Sequence, residues 1–217
     1  MADNNTTQQA VLDEMEAHAP QSMHPILEAA FKYSKQLIIA VAIIVGATAV
    51  YAGVTAYNAK AEVNAQATLG TILIQDQGQI KIDNLEDLLG IVPSSVKPAV
   101  QLEIAQACMT LGEYDKAADY WGQLIGNTDD DMQIVARLGK AKSLLLGGKA
   151  ADAVTELKDL VGIAPEAFTV PAYRQLALAA EAAGDTTEAL NAYKKLGETQ
   201  VSDKPFIDYK ISQLEAK

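Results

Sequence analysis

Few residues in this chain are placed to do covalent or metal chemistry. Its only histidines, His18 and His24, sit six residues apart near the N-terminus. No third ligand lies beside them to complete a metal site, so they read as solvated tail residues. The single cysteine, Cys108, excludes an intramolecular disulfide and a multi-cysteine zinc site. With no histidine nearby to take its proton, it reads as a small buried hydrophobe rather than a nucleophile. Asp129, Asp130 and Asp131 are consecutive, whereas a calcium loop spaces its oxygen donors over about twelve residues. An acidic interhelical loop that caps the following helix accounts for them better. No phosphate-cradling glycine loop occurs. The expectation is a protein that is not an enzyme, with no metal, no cofactor and no small-molecule substrate. A net charge of -11 also argues against nucleic acid, whose phosphates require a basic face.

The elements behind these residues are helical. Of the 217 residues, 49% are hydrophobic and only 6% aromatic. Abundant Ala and Leu suit helices packed through small side chains and disfavour a β core. No charge falls between Lys35 and Lys60. Residues 37–57 read LIIAVAIIVGATAVYAGVTAY, and twenty-one helical residues cover about 30 Å, the thickness of a bilayer core. Tyr33 and Tyr57 stand near the ends, where amphipathic rings favour the headgroup level. A cleaved signal peptide is the rival reading, and Ala59-Lys60-Ala61 has the small-x-small form. The long polar segment before the run and the length of the run itself argue against it. Lys32 and Lys35 on one side against Lys60 and Glu62 on the other place the N-terminus in the cytoplasm. On this helix Ala42, Gly46, Ala49, Gly53 and Ala56 make one stripe. It is either a packing face for another helix in lipid or the ordinary composition of a membrane span.

A repeat follows. Three stretches, beginning at Leu102, Leu138 and Arg174, align at a step of 36 residues. Each carries a small residue in its first helix (Ala105, Ala141, Ala177) and then a turn glycine (Gly112, Gly148, Gly184). An alanine comes next (Ala117, Ala153, Ala189), then a large apolar residue (Trp121, Leu157, Tyr193) and a leucine (Leu124, Leu160, Leu196). The glycine permits a tight turn between antiparallel helices. The alanines sit where the two helices cross, and the last two positions form the inward face of the second helix. Such a hairpin buries its apolar face only by stacking on the next one.

The pattern resembles the tetratricopeptide repeat, whose period is about 34 residues. Gly112-Glu113-Tyr114-Asp115-Lys116-Ala117 is close to that family's central signature, and Pro165 stands where its consensus proline ends a second helix. The departures are two extra residues per period and the missing tyrosine at Ala150 and Thr186. The fold expected is all-α: a transmembrane helix, then a helical-repeat solenoid. The layout is a cytoplasmic tail, partly disordered, at 1–36; a span at 37–57; a degenerate first unit at 58–97; three repeats at 98–202; and a capping helix at 203–217. Within the degenerate unit, residues 61–74 form a first helix, residues 78–83 break it, and Asn84 caps a short helix at 85–89. Pro205 opens the last helix, with Ile207, Ile211 and Leu214 on one face.

By repeat register the inner face of the first helices carries Leu102, Gln106 and Met109, then Leu138, Lys142 and Leu145, then Arg174, Leu178 and Glu181. This groove suits an extended or helical polypeptide, unless the upstream unit or a neighbour fills it. It lacks the Lys and Asn pattern of tetratricopeptide domains that clamp an acidic chaperone tail, since Leu102 and Gln106 hold two of those positions.

As a whole the chain from residue 37 onward resembles the YfgM-like family, the ancillary subunit of the bacterial SecYEG translocon. The specific pieces are Val100-Gln101-Leu102-Glu103-Ile104-Ala105-Gln106 and the closing Tyr209-Lys210-Ile211-Ser212-Gln213-Leu214. The resemblance implies an inner-membrane protein with a periplasmic repeat domain. Its implied role is a non-enzymatic adaptor whose protein partners are the translocon and periplasmic chaperones. The N-terminal tail is longer than that family implies. The alternative is a scaffold or assembly factor for another inner-membrane complex, respiratory or for cell division.

Overall fold

The computed structural model describes residues 33–126 and 128–216. Among these residues all regular structure is helical. In chain order the helices are α1 (Ser34–Gln75), α2 (Gly78–Ile91), α3 (Lys97–Leu111), α4 (Tyr114–Ile125), α5 (Asp130–Leu146), α6 (Ala150–Val161), α7 (Glu166–Ala183), α8 (Thr186–Gly197) and α9 (Lys204–Glu215). The chain divides into two compact units, Met1–Ala59 and Lys60–Lys217.

In the first unit the described residues are Tyr33 and the apolar part of α1. Every side chain described there is exposed, including Ile38 at 68% and Val50 at 68%. The helix is long and apolar enough to cross a membrane. Its two threonines add no unsatisfied polar group. Thr48 Oγ1 donates to the Ile44 carbonyl and Thr55 Oγ1 to that of Tyr51, each at 2.7 Å, as hydroxyls on a helix without water should.

In the second unit the helices pair in order. Each repeat turn ends its first helix the same way. Gly112, Gly148 and Gly184 have φ of +79°, +79° and +76°. The residue after each glycine donates its N–H five residues back: Glu113 to Cys108, Lys149 to Leu144 and Asp185 to Ala180, at 2.8–2.9 Å. This satisfies carbonyls that a helix end otherwise orphans. The next helix starts at once, with Ala117, Ala153 and Ala189 donating back to the residue after the glycine. The six alanines at the crossings are all at 0% exposure, and Leu124, Leu160 and Leu196 are at 1% or less. The register is therefore periodic in three dimensions as well as in sequence. Asp129 caps α5, its Oδ1 accepting from the Met132 N–H at 2.9 Å.

The core falls into two clusters that meet on α5. Ala136 belongs to the cluster that includes Ala65, Ile82, Ile104 and Trp121. Ile134 and Ala141 belong to the one that includes Leu157, Leu176, Tyr193 and Ile207. At the C-terminal end of the described stack, α9 occupies the register of a first helix and packs on α8. The α7 positions Ala172, Leu176, Ala177 and Ala180 are buried, whereas 36 residues on Asp208, Ser212, Gln213 and Ala216 are exposed. Three of those four are polar, so α9 finishes the stack.

One local expectation is corrected. Residues 78–83 do not break a helix; they begin α2, which runs to Ile91. The interruption is confined to Asp76 and Gln77. Gly78, at φ +61°, turns the chain without steric cost, and Ile82 and Leu85, both at 0% exposure, pin the helix to the core. Asn84 is therefore no cap. It lies inside α2, and its Nδ2 donates to Asp76 Oδ2 at 2.8 Å, tying the helix back to the turn before it.

Candidate protein-interaction face

The nine groove residues lie on α3, α5 and α7, three per helix, and the structure separates them into two kinds. The middle residue of each set, Gln106, Lys142 and Leu178, is exposed. The flanking residues are half-buried and engaged. Met109 packs against the first cluster, and its Sδ accepts from the Ser143 hydroxyl at 2.9 Å, which joins α3 to α5. Leu138 and Leu145 pack against the second cluster. Leu102 packs against the first cluster and also lines an open cleft of about 400 Å³ with Pro98, Thr128 and Met132. Gln106 lines a second cleft of about 400 Å³, whose other wall is Asp76, Gln77, Gly78 and Lys81. The turn between α1 and α2 thus borders the face at its first repeat.

In the third repeat the charged pair is tied to the end of the stack. Arg174 makes two hydrogen bonds to Asp203, at 2.6 and 2.9 Å. The bidentate bond raises the guanidinium pKa and holds the Asp203 carboxyl below its ordinary value. Glu181 accepts from Lys210 Nζ at 2.7 and 2.9 Å and from the Tyr193 hydroxyl at 3.1 Å. Burial first, and the Glu181 charge second, raise the phenol pKa. Arg174 and Glu181 therefore clamp α9 instead of standing free, and only Leu178, 44% exposed, remains open between them.

Cys108 is fully buried, and burial pushes its thiol up to about 11. A thiol held neutral in this way is a poor nucleophile. No group of three His, Cys, Asp or Glu side chains able to hold a metal occurs among the described residues. His18, His24 and the tail that carries them fall outside those residues. On α1 the stripe residues Ala42, Gly46, Ala49, Gly53 and Ala56 are all exposed, and a Cβ added at Gly46 or Gly53 would meet nothing within 4 Å.

The residues that sequence reasoning missed join one repeat to the next. A Cβ at Gly139 would come within 2.4 Å of the Trp121 ring, so the indole of one hairpin lies flat on the backbone of the next. Glu86 accepts from Tyr120 at 2.7 Å and pairs with Lys116 at 2.9 Å. Within the middle hairpin, by contrast, Glu156 of α6 takes both Arg137 and Lys140 of α5. The signal was available for the first contact, because Gly139 breaks a register held by Glu103 and Gln175 and follows the only tryptophan.

No family model and no curated protein matches the chain. Solved structures that resemble the chain include the following two. A kinesin-light-chain-like protein of Podosopora anserina, with nearly identical TPR-like repeats, is 17% identical at a TM-score of 0.52, over 73% of this chain and 83% of that one. The MamA RS-1 ArsTM double mutant is also 17% identical, at a TM-score of 0.49, over 73% of this chain and 94% of that one. The first likeness shows the class to which the geometry above already points. This is an all-α protein of tetratricopeptide-like helical repeats, with one N-terminal helix apolar enough to cross a membrane.

Proposed function

We propose that the protein is a non-enzymatic, membrane-anchored adaptor that recruits other proteins through its repeats. One observation carries this reading. A solenoid whose flanking groove residues are fixed leaves Gln106, Lys142 and Leu178 exposed, and it is encoded next to an apolar segment whose described side chains are all exposed. Rigid helical stacks with an exposed inner line bind polypeptides rather than small molecules. The helix at 37–57 anchors the protein in a bacterial inner membrane. Its N-terminus is cytoplasmic and its repeats are periplasmic, as the flanking lysines favour. The resemblance to YfgM-like proteins supports the particular role: an ancillary translocon subunit linking SecYEG-type export to periplasmic chaperones.

The test is crosslinking in intact membranes from photoreactive residues at positions 106, 142 and 178, with the captured proteins identified by mass. Translocon subunits or periplasmic chaperones are the expected products. Capture of respiratory or cell-division proteins alone would replace this role with the scaffold reading. A reporter active only outside the cytoplasm, fused after Lys217, is expected to be active. A silent fusion at normal expression would reverse the orientation.

A further inference from the structure

The negative charge of the second unit is not spread along it. Residues 60–131 hold twelve Asp and Glu against four Lys, whereas residues 132–217 hold eleven acidic and eleven basic residues. Ion pairing follows the same division. Among the described residues, two carboxylates of the first stretch are in ion pairs, Glu86 with Lys116 and Asp115 with Lys149. In the second stretch seven are paired, from Glu156 to Glu215. The later repeats thus neutralise their own charge. The first repeat and the helices before it keep an excess, which repels itself until a partner of opposite sign meets it.

The cleft between the starts of α3 and α5 lies in this acidic stretch. It holds about 400 Å³ over an apolar floor, with Pro98, Ala99 and Leu102 on the α3 side and Met132 on the α5 side. Leu102 packs on the core beneath, whereas Ala99 and Met132 pack in neither core cluster. Asp129 stands at the α5 rim. Its Oδ1 caps α5, which leaves Oδ2 open. At the α3 rim the Ser95 hydroxyl donates to Glu62 Oε1 at 2.6 Å, and this fixes a second carboxylate beside the cleft. Among the described residues no Lys or Arg lines it.

We propose that this cleft takes a basic, apolar-anchored segment of a partner polypeptide: a large apolar side chain on the floor, flanked by Lys or Arg that meet Asp129 and Glu62. The proposal rests on the adaptor reading above and names the chemistry of the partner. An apolar floor gives a bare cation nothing for its lost hydration, so the anchor must be apolar. The carboxylates at the rim turn away an acidic segment. Met132, unbranched and adaptable, accepts anchors of more than one shape. The excess charge of residues 60–131 steers such a segment in from a distance, an effect that salt screens.

The full-length chain in phosphatidylcholine nanodiscs tests this, with empty discs as the blank. The probe is a dye-labelled peptide with two leucines between lysines in a serine-glycine background. Its controls carry glutamate for every lysine, or serine for both leucines. Fluorescence anisotropy is expected to show the lysine-leucine peptide binding about tenfold more tightly than either control. The margin over the glutamate peptide should shrink as salt is raised. Met132→Lys should weaken binding of the probe about tenfold. Val135→Lys, exposed one turn on and outside the cleft, adds the same charge and should change it by less than about twofold. Circular dichroism checks that both variants fold, and the comparison of the three peptides on the parent chain decides without them. Equal binding of the lysine and glutamate peptides, no gain from the leucines, equal losses in the two variants, or no binding at all would overturn the proposal. Crosslinking from positions 106, 142 and 178 then decides separately whether the adaptor reading stands.

Discussion

Trp121 and Tyr193 hold the same register position two periods apart, and both are buried, yet their surroundings differ in kind. Trp121 fills its junction with surface. The ring lies against Gly139, where the equivalent positions carry Glu103 and Gln175. Tyr193 fills less and bonds more: its hydroxyl joins Glu181, which also holds Lys210 of α9. The first junction is a matter of shape and the last a matter of charge. An internal hairpin has a neighbour on both sides and can use close packing. The terminal one must hold a single helix against water, where partly exposed ion pairs give direction to a weaker apolar contact.

The contrast can be broken at several points. Trp121→Ala should cost about 3–5 kcal/mol, because it opens a cavity that a glycine on the facing helix cannot fill. Thermal melts of the detergent-solubilised chain would measure it, and a loss under 1 kcal/mol would mean the indole contributes little. Gly139→Ala should destabilise despite a gain of about 1 kcal/mol in helix propensity, since overpacking costs about 1–3 kcal/mol. Combining it with Trp121→Leu should recover part of the loss, because Leu157 opposite Gln175 shows that the register accepts that shape. Additive losses would place the strain elsewhere.

At the other junction Glu181→Gln should cost about 1–2 kcal/mol, by weakening two hydrogen-bonded partners at once. Hydrogen exchange should show the loss in α9 first and leave α3 and α4 protected. Uniform deprotection would instead merge the two junctions into one cooperative unit. The smallest effect is pH-dependent. Arg174 holds the Asp203 carboxyl below its ordinary value of 3.8. The contribution of the pair is therefore complete above that value and is lost as pH falls through the lower, folded-state value. Exchange in α9 should rise in that acid window, and Asp203→Asn should flatten the dependence. An unchanged profile would show that another carboxyl governs it.

What could be read from the sequence was local. The turn glycines, crossing alanines and inward leucines recur at fixed short separations set by helix geometry, and the structure places all of them as that geometry requires. Ion pairs between successive hairpins were hidden because they link residues some thirty positions apart through side-chain reach. Arg174 to Asp203 and Glu181 to Lys210 share a separation of 29 residues with opposite charges, a pattern that has meaning only once the stack is known. That is why both residues read as groove lining and turned out to clamp α9. Gly78 misled for a different reason: a glycine that ends one helix and a glycine that starts the next look alike in a single sequence.

The polar closing face of α9 sets a rule for changing the length of the array. Asp208, Ser212 and Gln213 sit where an added hairpin would need Ala or Leu to dock, so segments appended after residue 217 would trail unpacked. Extension has to enter upstream, as a whole 36-residue cassette between α8 and α9. The donor should be the middle repeat, whose Leu157 demands neither a glycine opposite nor a carboxylate alongside. A cassette built on the first repeat would carry Trp121 into a junction with no glycine to receive it, and the lengthened array would fail at that joint.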